Sequence, residues 1–326
     1  MAMKGTALAF LVVAVALSPA VPRVRTEEQQ PTEGLEFSAV PVEEHVLRGA
    51  PVFFKATLHN KSNRELHLWL ADRRLRQAGW RVEVAAGKEE PFRPVRMYQM
   101  TRDFFLLEPT VVLAPGQQIQ DYLIVWFGAY GDVPEERALV FSPSGEFLYR
   151  IVLGVVEGLS RRQTTLLRMA AEGKVTVSGK EVPGLTPFVR CVREVIEDRD
   201  YFVAHENRAR LETLIQELGD SPYAKYAKWL WIRSIFLDGQ DDEGRFALNG
   251  PRQKAREDRE RFRRYYKDLL AEADQPDSPI LWDALAAKAL DERSSGQLKE
   301  AQQTLDELER RFGTLRDSKD WHRWPY

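Results

Sequence analysis

Residues 52–59 read Val-Phe-Phe-Lys-Ala-Thr-Leu-His, and apolar side chains recur at every second position. Successive side chains of a β-strand point to opposite faces. One face therefore carries Val52, Phe54, Ala56 and Leu58. The other face carries Phe53, Lys55, Thr57 and His59. This pattern predicts a half-buried strand with an apolar inner face.

A turn and a second strand are predicted directly after it. Residues 60–63 read Asn-Lys-Ser-Asn, and these side chains favour turns because they hydrogen-bond their own backbone. Residues 66–70 then alternate again, as Leu-His-Leu-Trp-Leu. We therefore expect residues 52–59 and 66–70 to form a β-hairpin.

Short strand-like runs continue to residue 156. They cover residues 80–84, 104–107, 111–113, 122–127, 138–141 and 147–156. The continuously apolar run 122–127 predicts a central strand, and the last two runs predict a hairpin across the turn at 142–145. About seven short strands with regular turn signals favour a two-sheet β-sandwich. We assign it to residues 35–158.

This part resembles bacterial immunoglobulin-like domains. The resemblance lies in Gly49-Ala50-Pro51-Val52 before the first strand, in Asn60 after it, and in Leu113-Ala114-Pro115-Gly116 before the strand that ends near Trp126. The cysteine pair that joins the two sheets of antibody domains is missing, since the chain has 1 cysteine. The resemblance implies a binding or spacer role and transfers no site residues.

From about Leu159 onward the apolar residues recur at helical spacing, which predicts five to seven helices over residues 159–326. Asp-Ser-Pro occurs at 220–222 and again at 277–279. Ser is a good helix N-cap and Pro fits the first helical position, so each copy predicts a helix start. The predicted buried faces contain Phe188, Val192, Val195 and Ile196; Leu211, Leu214, Ile215 and Leu218; Tyr223, Tyr226, Ala227, Leu230 and Trp231; Phe262, Tyr265, Tyr266, Leu269 and Leu270; Trp282, Leu285, Ala286, Ala289 and Leu290; and Leu298, Ala301, Leu305, Leu308 and Phe312.

The last two of these helices resemble a tetratricopeptide repeat. Gly296, Leu298, Ala301 and Leu305 match the spacing of its second helix, although Gly313 stands where the repeat usually ends in Pro. A helical-hairpin bundle without repeat ancestry is the alternative. About two and a half repeat units are fewer than a stable solenoid needs, so we expect the helices to pack against the sandwich. The predicted fold class is β + α with two domains.

The start of the chain predicts export. Lys4 precedes an apolar run at 6–17, and Ser18-Pro19-Ala20 offers a signal-peptidase site, so we expect a signal peptide at 1–20 and a flexible leader at 21–34. The run is short for a membrane span, and an uncleaved anchor is the alternative. No cysteine stands directly after this run, since the only cysteine is Cys191, and this argues against a lipoprotein. We expect a soluble periplasmic or extracellular protein without a transmembrane segment after cleavage. Cys191 lies on an apolar helical face and predicts a buried, unreactive thiol.

Composition and motifs favour binding over catalysis. The chain carries 47 basic and 49 acidic side chains, whereas a nucleic-acid-binding protein would be strongly basic. His205-Glu206 lacks the second histidine of a zinc-protease helix, and the acidic turn at 238–244 fails the EF-hand pattern. No catalytic, metal or cofactor site is predicted, and no nucleic-acid partner.

Two regions of the helical half offer candidate partner-binding residues. Residues 252–267 contain eight basic side chains, among them Arg259, Arg263 and Lys267. They form either a docking strip for an anionic partner or membrane surface, or the solvent-exposed face of a helix. The tail at 321–326 carries Trp321 and Trp324, as a cap on the last helix or as a recognition peptide.

We expect an exported adaptor that binds a protein or peptide through its helical half. One alternative is a carbohydrate- or cell-surface-binding module that uses exposed aromatic residues of the sandwich, such as Trp69 or Phe53. Another is a hydrolase with an unrecognised site.

Overall fold

Strands form the first part of the chain and helices the second, so the predicted β + α organisation is confirmed. A computed structural model describes residues 34–69, 79–97, 100–101, 110–130, 138–142, 144–160, 163–197, 202–203, 207–238, 252–272 and 277–312.

The strands are β1 Leu35–Pro41, β2 His45–Val46, β3 Val52–Asn60, β4 Leu66–Trp69, β5 Gly79–Ala85, β6 Arg93–Met97, β7 Met100–Thr101, β8 Thr110–Leu113, β9 Gln118–Val125, β10 Phe127–Tyr130, β11 Ala138–Leu139, β12 Gly145–Ser160, β13 Gln163–Val177, β14 Ile196–Glu197 and β15 Phe202–Val203. The helices are α1 Leu185–Val195, α2 Arg208–Leu218, α3 Ala224–Asp238, α4 Arg252–Ala271, α5 Pro279–Ser294 and α6 Leu298–Phe312.

Two sheets pack face to face. The first has the order β1-β3-β9-β7, and the second has the order β11-β10-β6-β5-β12-β13-β2, with β4 joined to β12 and β8. The ring of Phe54 on β3 lies 4.7 Å from that of Tyr149 on β12, and the Tyr149 hydroxyl donates to the Ala39 carbonyl. Residues 52, 54, 56 and 58 are all buried on this inner face, as their alternation predicts.

The first predicted hairpin is wrong. Strand β3 pairs with β1 and β9, whereas β4 lies in the other sheet. The predicted turn exists, but it carries the chain from one sheet to the other. Asn60 is fully buried there, and its side-chain amide donates to the carbonyls of Arg64 and Leu113. Alternation determines which residues share a face of a strand, but it does not determine which strand pairs with it. The pairing of β3 with β4 was predicted wrongly for this reason.

The second predicted hairpin is also wrong, and so is the change to helical period at Leu159. Strands β12 and β13 form a long hairpin with Gly145 opposite Val177 and Ser160 opposite Gln163. Strand β11 pairs with β10 instead. The inward residues Leu167, Met169, Val175 and Val177 alternate as strand residues do. The strands therefore continue to Val177, beyond the boundary predicted at 158.

Most residues of the predicted helical faces are buried, but Ile196 lies in strand β14 and not in a helix. Leu298, predicted on the inner face of α6, is 66% exposed. Ser278 caps α5, since its hydroxyl accepts from the Leu281 amide. In the other Asp-Ser-Pro copy, α3 begins only at Ala224, and the Ser221 hydroxyl donates to the Pro183 carbonyl. The same hydroxyl accepts from the Tyr223 amide at 3.3 Å, as an N-cap does, so Ser221 also caps the turn that leads into α3.

The helices pack against part of the outer face of the first sheet, around Phe53, Tyr122 and Ile124, so the expectation that they pack against the sandwich is confirmed. Trp126, which follows β9, stacks on Phe188 of α1 at 5.8 Å and on Trp229 of α3 at 6.5 Å. Its indole N–H donates to the Gly49 carbonyl at 2.8 Å. Phe53 meets Trp229 edge-on at 5.5 Å. One apolar core thus contains residues of both halves.

None of the helices within the described ranges combines the length and the apolar character that crossing a membrane requires.

Candidate functional site

An open groove lies between α4 and α5 and extends to the turn before α6. Its volume is about 770 Å³. The lining combines cationic, hydroxyl and amide groups with a small apolar patch. It consists of Arg263, Tyr266, Lys267, Leu270, Ala271, Lys288, Asp291, Glu292, Ser295 and Gln297.

Helix α4 brings the three basic residues singled out in the sequence onto one stripe. Arg259, Arg263 and Lys267 are spaced four residues apart, and residues at that spacing are neighbours on a helix surface. Arg263 and Lys267 line the groove, and Arg259 lies one turn before Arg263. The opposite face of α4 buries Phe262 and Tyr265. The row thus lies on the solvent-facing side of a core helix. Two of its members, Arg263 and Lys267, also form one wall of the groove.

Asp291 fixes one end of this wall. Its carboxylate is buried and accepts from Arg263 Nε at 2.7 Å and from the Tyr266 hydroxyl at 3.0 Å. Arg263 Nη2 also donates to the Ser295 hydroxyl at 2.8 Å. The Arg263 side chain nevertheless stays 39% exposed. Its guanidinium is therefore held in one orientation while it still faces the solvent.

The electrostatics of this cluster keep its donors protonated. Burial and the neighbouring Asp291 carboxylate raise the pKa of Tyr266 above its ordinary value of 10.0. The hydrogen bond to Asp291 raises the pKa of Arg263. At neutral pH the Tyr266 hydroxyl and the Arg263 guanidinium are therefore both protonated, and both donate to Asp291.

The opposite wall carries a second ion pair. Lys288 Nζ lies 3.6 Å from Glu292 Oε1, and the buried Thr304 hydroxyl donates to Glu292 Oε2 at 2.7 Å. Lys267 is exposed and, within the described part of the chain, has no carboxylate within ion-pairing distance. The groove therefore presents one cation whose charge no described side chain balances.

A second carboxylate cluster lies in the interior, on the same helix. Asp283 is buried and accepts from the Trp229 indole N–H at 2.7 Å and from Arg233 Nη1 at 3.4 Å. The Arg233 guanidinium lies 5.3 Å from the centre of the Trp229 ring. This cluster faces the shared core and offers no surface to a ligand.

The remaining sequence candidates are Phe53, Trp69 and the tail tryptophans. Phe53 is buried against Trp229, so it cannot serve as an exposed aromatic of the sandwich; that prediction is wrong. The backbone of Trp69 pairs in β4, but its side chain lies outside the described set. Trp321 and Trp324 lie outside the described residues, as do His205 and residues 239–244 of the acidic turn.

Cys191 is half-buried on α1. Burial, with a smaller contribution from Glu194, raises the pKa of its thiol to about 11. The thiolate is the reactive form, so this environment supports the predicted unreactive thiol at neutral pH.

Asp291, Tyr266 and Lys288 belong to the groove but were not predicted from the sequence as site residues. A signal for the first was present, because Asp283 and Asp291 interrupt the otherwise apolar faces of α5 at a spacing of eight residues. A charged residue that is buried on a helix needs a partner. The sequence gives no means of telling which helix supplies it.

No protein-family model matches the chain, and no curated protein matches it. Solved structures that resemble it include a PapD-like domain of human CEP192, at 9% identity and a TM-score of 0.24 over 54% of this chain and 99% of that one. Spo0M, a sporulation control protein of Bacillus subtilis, matches at 9% identity and a TM-score of 0.27 over 51% and 55%. A CARDB domain from Pyrococcus furiosus matches at 14% identity and a TM-score of 0.20 over 44% and 87%. At these TM-scores the likenesses carry no argument about function.

Proposed function

We propose that this chain is an exported adaptor that binds a protein or peptide partner through its helical half, in the groove between α4 and α5. The supporting observation is the wall that Arg263 and Lys267 form on an open surface, in which buried Asp291 orients Arg263. Charged side chains that are oriented in advance lose less conformational entropy when a partner binds.

Finer parts of this proposal concern ancestry and location. The sandwich would be immunoglobulin-like, and the α5–α6 hairpin would be related to tetratricopeptide repeats. Gly296 adopts a φ of +78° in the turn, and Ala301 and Leu305 of the matched pattern are buried, whereas Leu298 is exposed. Export rests on residues 1–20 alone.

Photo-crosslinking in the full chain tests the adaptor function. The photoreactive residue benzoylphenylalanine replaces Ala271, which is exposed and lines the groove. The control position is Lys180, which is exposed on the loop after β13. After irradiation in envelope extract of the source cells, we expect one protein adduct from position 271 and none from 180. The absence of an adduct at 271, or identical adducts at both positions, would overturn the proposal.

A further inference from the structure

We infer that the groove takes an extended acidic segment of a partner protein, with carboxylates at alternate residues along the Arg259–Arg263–Lys267 row and an apolar side chain next to Leu270. This inference rests on the proposed function and specifies its ligand.

The charge balance of the groove favours an acidic over a basic ligand. Both of its carboxylates are already engaged, Asp291 by Arg263 and Tyr266, and Glu292 by Lys288 and Thr304. A basic ligand would therefore meet carboxylates whose charge is already balanced by a neighbouring cation. A carboxylate would displace nothing, because Lys267 has no ion pair within the described residues.

Arg263 can bind a ligand without leaving Asp291. Its hydrogen bonds to Asp291 and Ser295 use two of the five N–H donors of the guanidinium. The remaining donors lie on a side chain that is 39% exposed. A carboxylate can therefore bind to Arg263 while the buried ion pair stays intact.

The spacing of the row specifies the conformation of the ligand. Side chains four residues apart on a helix are about 6 Å apart along its axis. In an extended chain, side chains on the same side recur every second residue, at about 6.6 Å. Acidic residues at alternate positions of an extended segment can therefore face Arg259, Arg263 and Lys267 in turn. Leu270, partly buried in the groove beyond Lys267, would contact an apolar residue next to the acidic positions.

Fluorescence anisotropy with the full chain and three labelled synthetic octapeptides tests this inference. The first has glutamates at alternate positions followed by leucine, the second replaces each glutamate by glutamine, and the third places the same glutamates side by side. At about 50 mM salt, where exposed charges are weakly screened, we expect the first to bind at least tenfold tighter than either of the others. Equal binding of the glutamine peptide would overturn the acidic preference, and equal binding of the third would overturn the alternate spacing.

Charge reversal at Lys267 tests whether the peptide binds in the groove. Lys267→Glu is expected to weaken the first peptide at least tenfold, whereas Lys267→Arg retains binding. Lys180→Glu is the matched control, since it makes the same change on an exposed loop residue outside the groove. Circular dichroism checks that each variant is folded. Equal losses for Lys267→Glu and Lys180→Glu would overturn the assignment, and so would tighter binding of an oligothymidylate than of the acidic peptide.

The failures of the two proposals are distinguishable. If position 271 crosslinks to a protein while the acidic peptide fails to bind, the adaptor function stands and the acidic ligand is wrong. If position 271 captures no protein, the adaptor function itself is wrong.

Discussion

Helix α5 carries two buried carboxylates, Asp283 and Asp291, about two turns apart, and both are held in the same chemical way. Each accepts one hydrogen bond from an arginine and one from an aromatic side chain. The arginine of the inner cluster is 14% exposed, whereas that of the outer cluster is 39% exposed. The same arrangement therefore stabilises the interior at one end of the helix and orients a surface cation at the other.

The comparison predicts that stability depends on the inner cluster and ligand binding on the outer one. Trp229 links the inner cluster to the sheet, because it contacts Phe53 and Trp126 as well as Asp283. The outer cluster contacts the groove. Substitutions in the two places therefore separate the two roles.

Trp229→Ala is expected to have the largest effect. It removes a fully buried indole that joins the helices to the sheet, and the loss of a large core side chain costs about 3–5 kcal/mol. Urea denaturation followed by tryptophan fluorescence and circular dichroism measures it. A loss below about 1 kcal/mol would mean that the two halves do not depend on this contact.

Asp283→Asn is expected to lower the free energy of unfolding by about 3 kcal/mol, because it removes the charge that faces the buried Arg233 guanidinium. The substitution keeps the shape of the side chain, so an observed loss reports the charge. The same denaturation experiment measures it, and peptide binding at temperatures where the variant is folded is expected to be unchanged.

Asp291→Asn is expected to cost about 1–2 kcal/mol, since Arg263 is partly solvated and loses less when its partner is neutralised. Unlike Asp283→Asn, it is expected to weaken the acidic octapeptide, because Arg263 is no longer held against the groove wall. A stability loss equal to that of Asp283→Asn would erase the distinction between the clusters.

Tyr266→Phe is expected to have the smallest effect at neutral pH, about 1 kcal/mol for one hydrogen bond. Its signature appears in alkali. The pKa of Tyr266 is raised in the folded state, so above pH 10.0 the unfolded chain releases this proton first and stability falls as the pH rises. Tyr266→Phe removes this part of the decline. Denaturation at pH 8 and pH 11 compares the slopes, and identical slopes would contradict the assigned environment.

The sequence predicts the faces of the elements better than their partners. The alternation at 52–59 and the helical stripes depend on local spacing, and the structure buries most of those residues. The partner of β3 depends on contacts between distant residues, which spacing does not encode. The predicted hairpin with β4 failed for this reason, and so did the predicted boundary at residue 158.

The candidate site shows the same division. The row at Arg259, Arg263 and Lys267 follows from helical spacing on a single element. Its anchor, Asp291, lies on another helix, and the local sequence does not indicate that its partners are on α4. The basic wall on α4 could therefore be predicted, whereas the α5 residue that orients Arg263 could not.

Strand β9 has a consequence for how the molecule unfolds. Leu123 and Val125 point into the sandwich, whereas Tyr122 and Ile124 point into the core shared with the helices. A strand that forms part of two cores cannot leave one and remain in the other. We therefore expect a single heat-absorption peak in calorimetry for sheets and helices together, with the amide hydrogens of β9 among the last to exchange with solvent.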